Sequence, residues 1–322
     1  MQALKHHMRP GMLVLLILLI GASAAGCGRT QVPEPAQPPA PPAKEPAQPP
    51  KPPPEPAVKV SLARDSAAQG EFVVVRCSFD GGDPTSVTLA GLDAKAGMLP
   101  VNGKGFALLP VGVRIAPGSH KITVEASWPG GVKKSAEVTV AVTKTTFQVS
   151  RITATKEQTD NITSEKLAQD SVKVRAAKAA SAVDNLWVSG FQAPLDARIT
   201  TGFGHIRYVN GVETWRHSGI DFGAPTGTKV AACADGKVVM AMTLNGTGKT
   251  VILDHGLGVF SSYGHMSSLV VKAGDQVKKG QTVGLVGSTG FSTGPHLHWT
   301  VTIGLTAVDP FSLVKHSEDL GF

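Results

Sequence analysis

Apolar and polar positions change their rhythm repeatedly along the chain. After basic Lys5 and Arg9, the run Met12-Leu13-Val14-Leu15-Leu16-Ile17-Leu18-Leu19-Ile20 is apolar throughout and passes into small residues. From Arg29 to about Ala57 proline dominates, as in Gln37-Pro38-Pro39-Ala40-Pro41-Pro42 and Pro52-Pro53-Pro54. Such a tract forms neither a helix nor an interior strand and samples extended polyproline conformations, so it reads as a semi-rigid tether. Between Val58 and Thr146 short β-like runs recur: Phe72-Val73-Val74-Val75-Arg76, Ser86-Val87-Thr88-Leu89, His120-Lys121-Ile122-Thr123-Val124-Glu125 and Ala136-Glu137-Val138-Thr139-Val140. Gly81-Gly82-Asp83-Pro84, Pro117-Gly118 and Pro129-Gly130-Gly131 punctuate them, and that spacing predicts a small β-sandwich. From about Lys156 to Leu186 proline and glycine vanish while Glu, Lys, Ala and Leu accumulate, which predicts at least one helix linking two domains. After Ser189-Gly190 the pattern is β-rich again to about Val314, with turns at Asn210-Gly211, Asp235-Gly236 and Asn245-Gly246. The expected fold class is mainly β. The segments are a leader over 1–27, a proline-rich linker over 28–57, a sandwich over 58–147, a partly helical connector over 148–192, a second β domain over 193–315 and a tail over 316–322.

Composition agrees with this reading and narrows the partners. A chain of 322 residues accommodates two folded units, and 36 Gly with only 5% aromatics favours strands and turns over a helical bundle. The net charge of +7 and a pI near 9.3 favour an anionic partner. Lys and Arg are scattered, however, and no basic run is interleaved with aromatics, so nucleic acid is not among the expected partners.

The leader has the order of an export signal and is too short for a comfortable membrane span. Its end, Ala24-Ala25-Gly26-Cys27, resembles a bacterial lipoprotein signal, in which the cysteine thiol is lipidated and becomes the mature N-terminus. Cys27 is then the lipid attachment site and the anchor makes the membrane a partner. Ala24 stands where a large aliphatic residue is usual, and Ala22-Ser23-Ala24 offers ordinary A-x-A cleavage instead. Both readings export the protein. Cys77 and Cys233 lie in apolar runs, where a buried free thiol is the expected state.

Seven of the ten histidines fall at or after His205. In His217-Ser218-Gly219-Ile220-Asp221, the glycine, the isoleucine and the following Pro225 argue for a strand entered through a bend. Fully extended, His217 and Asp221 would lie about 13 Å apart at about 3.3 Å per residue, so only a bend near Gly219 lets both bind one ion. In Gly294-Pro295-His296-Leu297-His298-Trp299 the period of a strand puts His296 and His298 on one face and Leu297 on the other. His265, in Ser262-Tyr263-Gly264-His265-Met266, gains meaning only beside these. Two imidazoles and a carboxylate make a normal three-ligand zinc set with a fourth position for water, and His217, Asp221 and His298 can supply it. No H-E-x-x-H helix provides a glutamate base, so His296 or His265 is left for proton transfer. His255 is expected in a turn, and His205 and His316 outside the chemistry.

At these residues the sequence resembles the lysostaphin-type (LytM-like) zinc metallopeptidases of bacterial cell walls. The likeness runs from Ile199-Thr200-Thr201-Gly202-Phe203-Gly204 to Asp309-Pro310-Phe311, through His217 to Gly227, Ala234-Asp235-Gly236, Val271 to Gly280 and Gly287 to His298. It implies a compact antiparallel β fold with one zinc ion in a groove, bound by His217, Asp221 and His298, with His296 and His265 flanking the catalytic water. Thr300 stands where many relatives have glutamate, and Cys233 where alanine or valine is usual. The earlier β run resembles the immunoglobulin-like domains that precede many wall-hydrolase domains.

The resemblance implies a zinc endopeptidase that hydrolyses peptide stems or cross-links of peptidoglycan, in the envelope outside the cytoplasm. The alternative is a non-catalytic lipoprotein that binds peptidoglycan or activates other hydrolases, as relatives that have lost ligands do; the complete ligand set here favours the enzyme. Cys27→Ser is expected to release the protein from the membrane fraction. Unchanged fractionation, with no lipid label on the wild type, would replace the anchor with a simple secretory signal.

Overall fold

The computed structural model describes residues 53–152, 164–182, 184 and 186–320. The leader, Cys27, nearly all of the proline tract and residues 153–163 of the connector lie outside the described residues. No described helix is long and apolar enough to cross a membrane.

The first domain contains β1 (Ala57–Leu62), β2 (Ser66–Ala68), β3 (Phe72–Asp80), β4 (Ser86–Gly91), β5 (Ala94–Met98), β6 (Lys104–Pro110), β7 (Gly118–Ser127) and β8 (Lys133–Thr143). They form two sheets, β1-β3-β6 and β2-β8-β7-β4-β5, joined by a common core that includes Val73, Val75 and Leu109 from one sheet and Leu89, Ile122, Val124 and Val140 from the other. In β4 the burial alternates along Ser86–Ala90, as the period of a strand with one dry face requires.

β3 departs from that alternation. Phe72, Val73, Val74 and Val75 are all buried, because Val73 and Val75 face the sandwich core while Phe72 and Val74 face the second domain. Phe106 and Leu108 of β6 likewise join a core that includes Trp187, Trp299, Val301 and Leu313. A strand dry on both faces reads as a continuous apolar run. The sandwich is therefore a packing layer of the second domain.

Polar contacts follow the same seam. Arg64 Nε donates to Asp319 Oδ2 at 2.7 Å, Arg76 donates to the Asp319 carbonyl at 2.9 Å, and the Asp309 amide donates to the Gly70 carbonyl at 2.6 Å. In the tail over 316–322, a 3₁₀ turn over Ser317–Leu320 carries the Asp319 contacts and buries Leu320.

The connector holds β9 (Val149–Ile152) and the helix α1 (Ser164–Ala177). The second domain follows with β10 (Arg198–Thr201), β11 (Ile206–Val209), β12 (Val212–Arg216), β13 (Ile220–Gly223), β14 (Lys229–Ala231), β15 (Gly236–Leu244), β16 (Gly248–Asp254), β17 (Val259–Met266), β18 (Ser268–Leu269), β19 (Gln276–Val277), β20 (Thr282–Leu285), β21 (His296–Ile303) and β22 (Thr306–Val308). The main sheet runs β10-β13-β21-β17-β16-β15-β19, with β22 on β21, and its pairs are antiparallel. β9 pairs in parallel with β11, and α1 sets Val174 and Ala177 against Met240, Leu244, Ile252 and Phe260 on one side of the sheet. The β pattern ends in a short helix, α2 (Pro310–Lys315), because Asp309 caps it by accepting from the Phe311 amide and Pro310 occupies its first turn. Cys77 and Cys233 are buried free thiols.

Leu108→Ala thins the layer between the two β units and is expected to cost about 2–5 kcal/mol. Calorimetry should show one transition moving as a whole. Two transitions, with only the first displaced, would mean that the domains do not share this layer.

Candidate active site

The site is built where β13 and β21 pair. Their register sets Asp221 opposite His298 and Ile220 opposite Trp299, so Asp221 and His298 project from one face while Phe222 and Leu297 fill the core behind them. His217 reaches the same point from the segment before β13. Gly219 makes that approach possible: a Cβ there would stand 2.2 Å from the Trp299 carbonyl oxygen and 2.6 Å from Thr300 Oγ1. The bend expected at this glycine is present, forced by close passage over the backbone of β21.

His217 Nε2 lies 3.0 Å from Asp221 Oδ1 and 3.0 Å from His298 Nδ1, and His298 Nδ1 lies 2.8 Å from Asp221 Oδ1. The outer nitrogens have partners that suit protonation there, one of them an obligate acceptor. His217 Nδ1 sits 2.9 Å from the Gly202 carbonyl, which only accepts, so this nitrogen carries the proton and donates. His298 Nε2 lies 2.8 Å from Thr300 Oγ1 and can donate to it. With these tautomers, three lone-pair atoms converge with no N–H among them, an arrangement satisfied by a shared cation or an added proton. Tetrahedral zinc with bonds of about 2.0–2.1 Å separates its nitrogen ligands by about 3.4 Å, so the cluster fits after a small expansion. His217, Asp221 and His298 are a group able to hold a metal ion.

The electrostatics suit ligation. Where an added proton fills the cluster, burial opposes the charge on Asp221, but the hydrogen bonds and charges of His217 and His298 outweigh it and hold the carboxyl well below the usual range. Burial pushes the His298 imidazole down, toward the neutral form that a ligand needs.

Two more imidazoles border the cluster. His296 Nδ1 donates to the Gly294 carbonyl at 2.8 Å, and its Nε2 stands 3.9 Å from Asp221 Oδ1. His265 Nδ1 donates to the Thr289 carbonyl at 2.8 Å. The His265 and His296 rings are 4.6 Å apart, and His265 lies 6.0 Å from the His298 ring. His265 is pushed down to about 4, chiefly by burial and further by His298 and His296, against the bond to Thr289.

Gly264, opposite His298 in the register, occupies the site face of β17, so a regular strand would point His265 into the other layer. A register shift between Lys249 and Val251 inserts an extra residue in this stretch, and His265 takes φ 61°. The bulge turns His265 back toward the site. Backbone strain of this kind in a non-glycine residue concentrates at functional sites.

The structure thus gathers His217, Asp221, His298, His296 and His265. His316 stands apart, 3.4 Å from Glu71 at the seam with the sandwich. His255 follows β16 as expected of a turn residue but is fully buried: its Nδ1 donates to the Asp235 carbonyl at 2.7 Å and its Nε2 lies 2.7 Å from Ser261 Oγ. Thr300 was visible in the sequence only as a departure from a pattern. Its hydroxyl is the partner of His298 Nε2.

Residues 215–310 match the model of Peptidase family M23. The DD-carboxypeptidase/endopeptidase Mpg of Neisseria meningitidis is 41% identical over 124 residues, 38% of this chain and 28% of that protein. The peptidoglycan DD-endopeptidase ShyA of Vibrio cholerae is 42% identical over 87 residues, 27% of this chain and 20% of its own. The murein hydrolase activator EnvC of Escherichia coli is 42% identical over 95 residues, 30% and 23% of the two chains. The chain thus spans about a quarter of the length of these relatives. A crystal structure assigned to peptidase M23 from Pseudomonas aeruginosa superposes with a TM-score of 0.55 at 24% identity, over 77% of this chain and 94% of that one, and shares the fold.

Thr300→Val keeps the side-chain shape and removes the oxygen facing His298 Nε2. Loss of such an outer partner typically weakens metal binding about 10–100-fold. A chelator competition titration with zinc should show a drop in that range; wild-type affinity would leave Thr300 without a role in orienting His298.

Proposed function

We propose that this chain, whose residues 215–310 match the model of peptidase family M23, is a zinc-dependent endopeptidase that hydrolyses peptide stems or cross-links of peptidoglycan. The observation that carries the reading is the convergence of Asp221 Oδ1, His217 Nε2 and His298 Nδ1 within 3.0 Å of one another, beside two imidazoles whose other nitrogens are already committed to carbonyls. The likeness to two endopeptidases, one named for peptidoglycan, supports the substrate class. The Ala24-Ala25-Gly26-Cys27 leader supports an exported, lipid-anchored protein working at the envelope.

Zinc held by His217, Asp221 and His298 would lower the pKa of a water toward about 7 and polarise the scissile carbonyl. The protein's own groups do the rest. With Nδ1–H donated to Thr289 and Gly294 respectively, His265 and His296 each present an unprotonated Nε2. Either Nε2 can take the proton of the attacking water and return it to the leaving amine nitrogen. Burial keeps the His265 ring neutral at the outset. The carbonyls of Gly294 and Thr289 keep both rings from turning away.

The likeness to EnvC supports a second reading, an activator of other hydrolases. Purified sacculi separate the two: the endopeptidase releases muropeptides alone, the activator only when a second hydrolase is present.

The sharpest test compares neighbours on one strand. His298→Ala should lose zinc and hydrolysis together. His296→Ala should keep most zinc and slow turnover about a hundred- to ten-thousand-fold. Equal zinc loss in the two variants would make His296 a ligand, and normal turnover in His296→Ala would leave proton transfer to His265 alone.

A further inference from the structure

Asp170 is the one acidic residue of α1 that is buried, 7% exposed, and neither of its oxygens is satisfied within the helix. Oδ1 accepts from Asn245 Nδ2 at 3.0 Å and Oδ2 from the Gly246 amide at 2.8 Å, both in the turn between β15 and β16. Leu167, one helical turn earlier, packs so closely that a Cβ on Gly246 would lie 3.1 Å from its Cδ2. Burying a carboxylate is costly unless its acceptors are used. This one is spent on holding a tight turn.

The same turn supports the candidate catalytic base from behind. The His265 amide donates to the Thr247 carbonyl at 2.7 Å, and the Phe291 amide donates to the Gly246 carbonyl at 2.8 Å. Lys249 N donates to Thr289 Oγ1 at 2.9 Å, and the Thr289 carbonyl accepts from His265 Nδ1 at 2.8 Å. The two loops are in direct contact: a Cβ on Gly290 would stand 2.3 Å from Gly248 N and 2.6 Å from the Gly246 carbonyl oxygen. His265 is therefore gripped at its backbone by one loop and at its ring by the other, and Asp170 fastens the first of them. His265 also needs that grip, since its backbone lies in the left-handed region at φ 61°.

We propose that Asp170 of the connector helix is a positioning residue for His265, acting through the Asn245–Gly248 turn, so that the segment joining the two domains holds the proton-transfer wall of the site in its working geometry. The inference rests on the endopeptidase reading for its catalytic consequence, but its structural half stands without it. A misplacement of about 1 Å by a group remote from the chemistry can cost about a hundredfold in rate.

The test uses the full-length protein with zinc and two readouts. In Asp170→Ala, kcat for muropeptide release should fall about tenfold to a hundredfold with KM and zinc content unchanged, while Val172→Ala, exposed on the same helix, stays at the wild-type rate. Asp170→Asn keeps one acceptor oxygen and should fall between. The second readout needs no substrate: the imidazole Nδ1–H proton of His265, donated to Thr289, should exchange faster in Asp170→Ala by NMR, while that of His217, donated to Gly202, stays protected. An unchanged His265 signal would overturn the proposal, as would equal loss of both signals, which marks general loosening. If Asp170→Ala does not fold, Asp170→Asn is judged by the same criteria. A wild type that releases no muropeptides would refute the endopeptidase reading and leave the NMR comparison decisive for Asp170.

Discussion

The pairing of β13 with β21 is the constraint from which the rest of the site follows. Because Asp221 and His298 are directly opposed in that register, their ligand atoms meet at 2.8 Å without either strand departing from regular geometry. A one-residue slip of β13 would turn Asp221 into the core and bring Phe222 out, while His298 stayed on the site face. The hydrophobic layer behind the sheet thus enforces the polar arrangement in front of it: Phe222, Leu297 and Trp299 can be buried only if the site residues face outward. His217 depends on the same pairing, since the missing side chain at Gly219 lets its segment cross β21.

That dependence explains what could be read from the sequence. The shared face of His296 and His298 follows from the two-residue period, and the need for a bend at Gly219 follows from the reach of an extended chain. Both are local properties. The role of Thr300 was hidden because a hydroxyl two residues from a histidine has no pattern of its own; only the orientation of His298 gives it meaning. The route by which His265, already a proton-transfer candidate, reaches the site was hidden for a different reason. Alternation assigns the residue to the wrong face, and the bulge that corrects this is a property of its pairing with β16.

The same distinction applies to the fold. Short strands, turns and a connecting helix are visible as periods and punctuation. Phe72-Val73-Val74-Val75 also signalled a strand, but its lack of alternation carried further information: one face belongs to the sandwich and the other to the second domain. The sequence alone could not say what covers the second face. Nor could it show that the Ser317–Leu320 turn is pinned, because the Arg64–Asp319 contact joins positions 255 residues apart.

These layers give the connector a mechanical setting. β9 extends the β11–β12 sheet, whose last strand leads directly into His217, and α1 lies against the β15–β16 turn that backs His265. One segment therefore borders the site on both its His217 side and its His265 side. The ligands are held by regular pairing and a buried core, and such elements tolerate little displacement. His265 sits on a strained bulge whose support is a few loop hydrogen bonds, so its position can change while the three converging atoms stay in place. A disturbance arriving through the connector would thus move the His265 ring before it reached the three converging atoms of His217, Asp221 and His298.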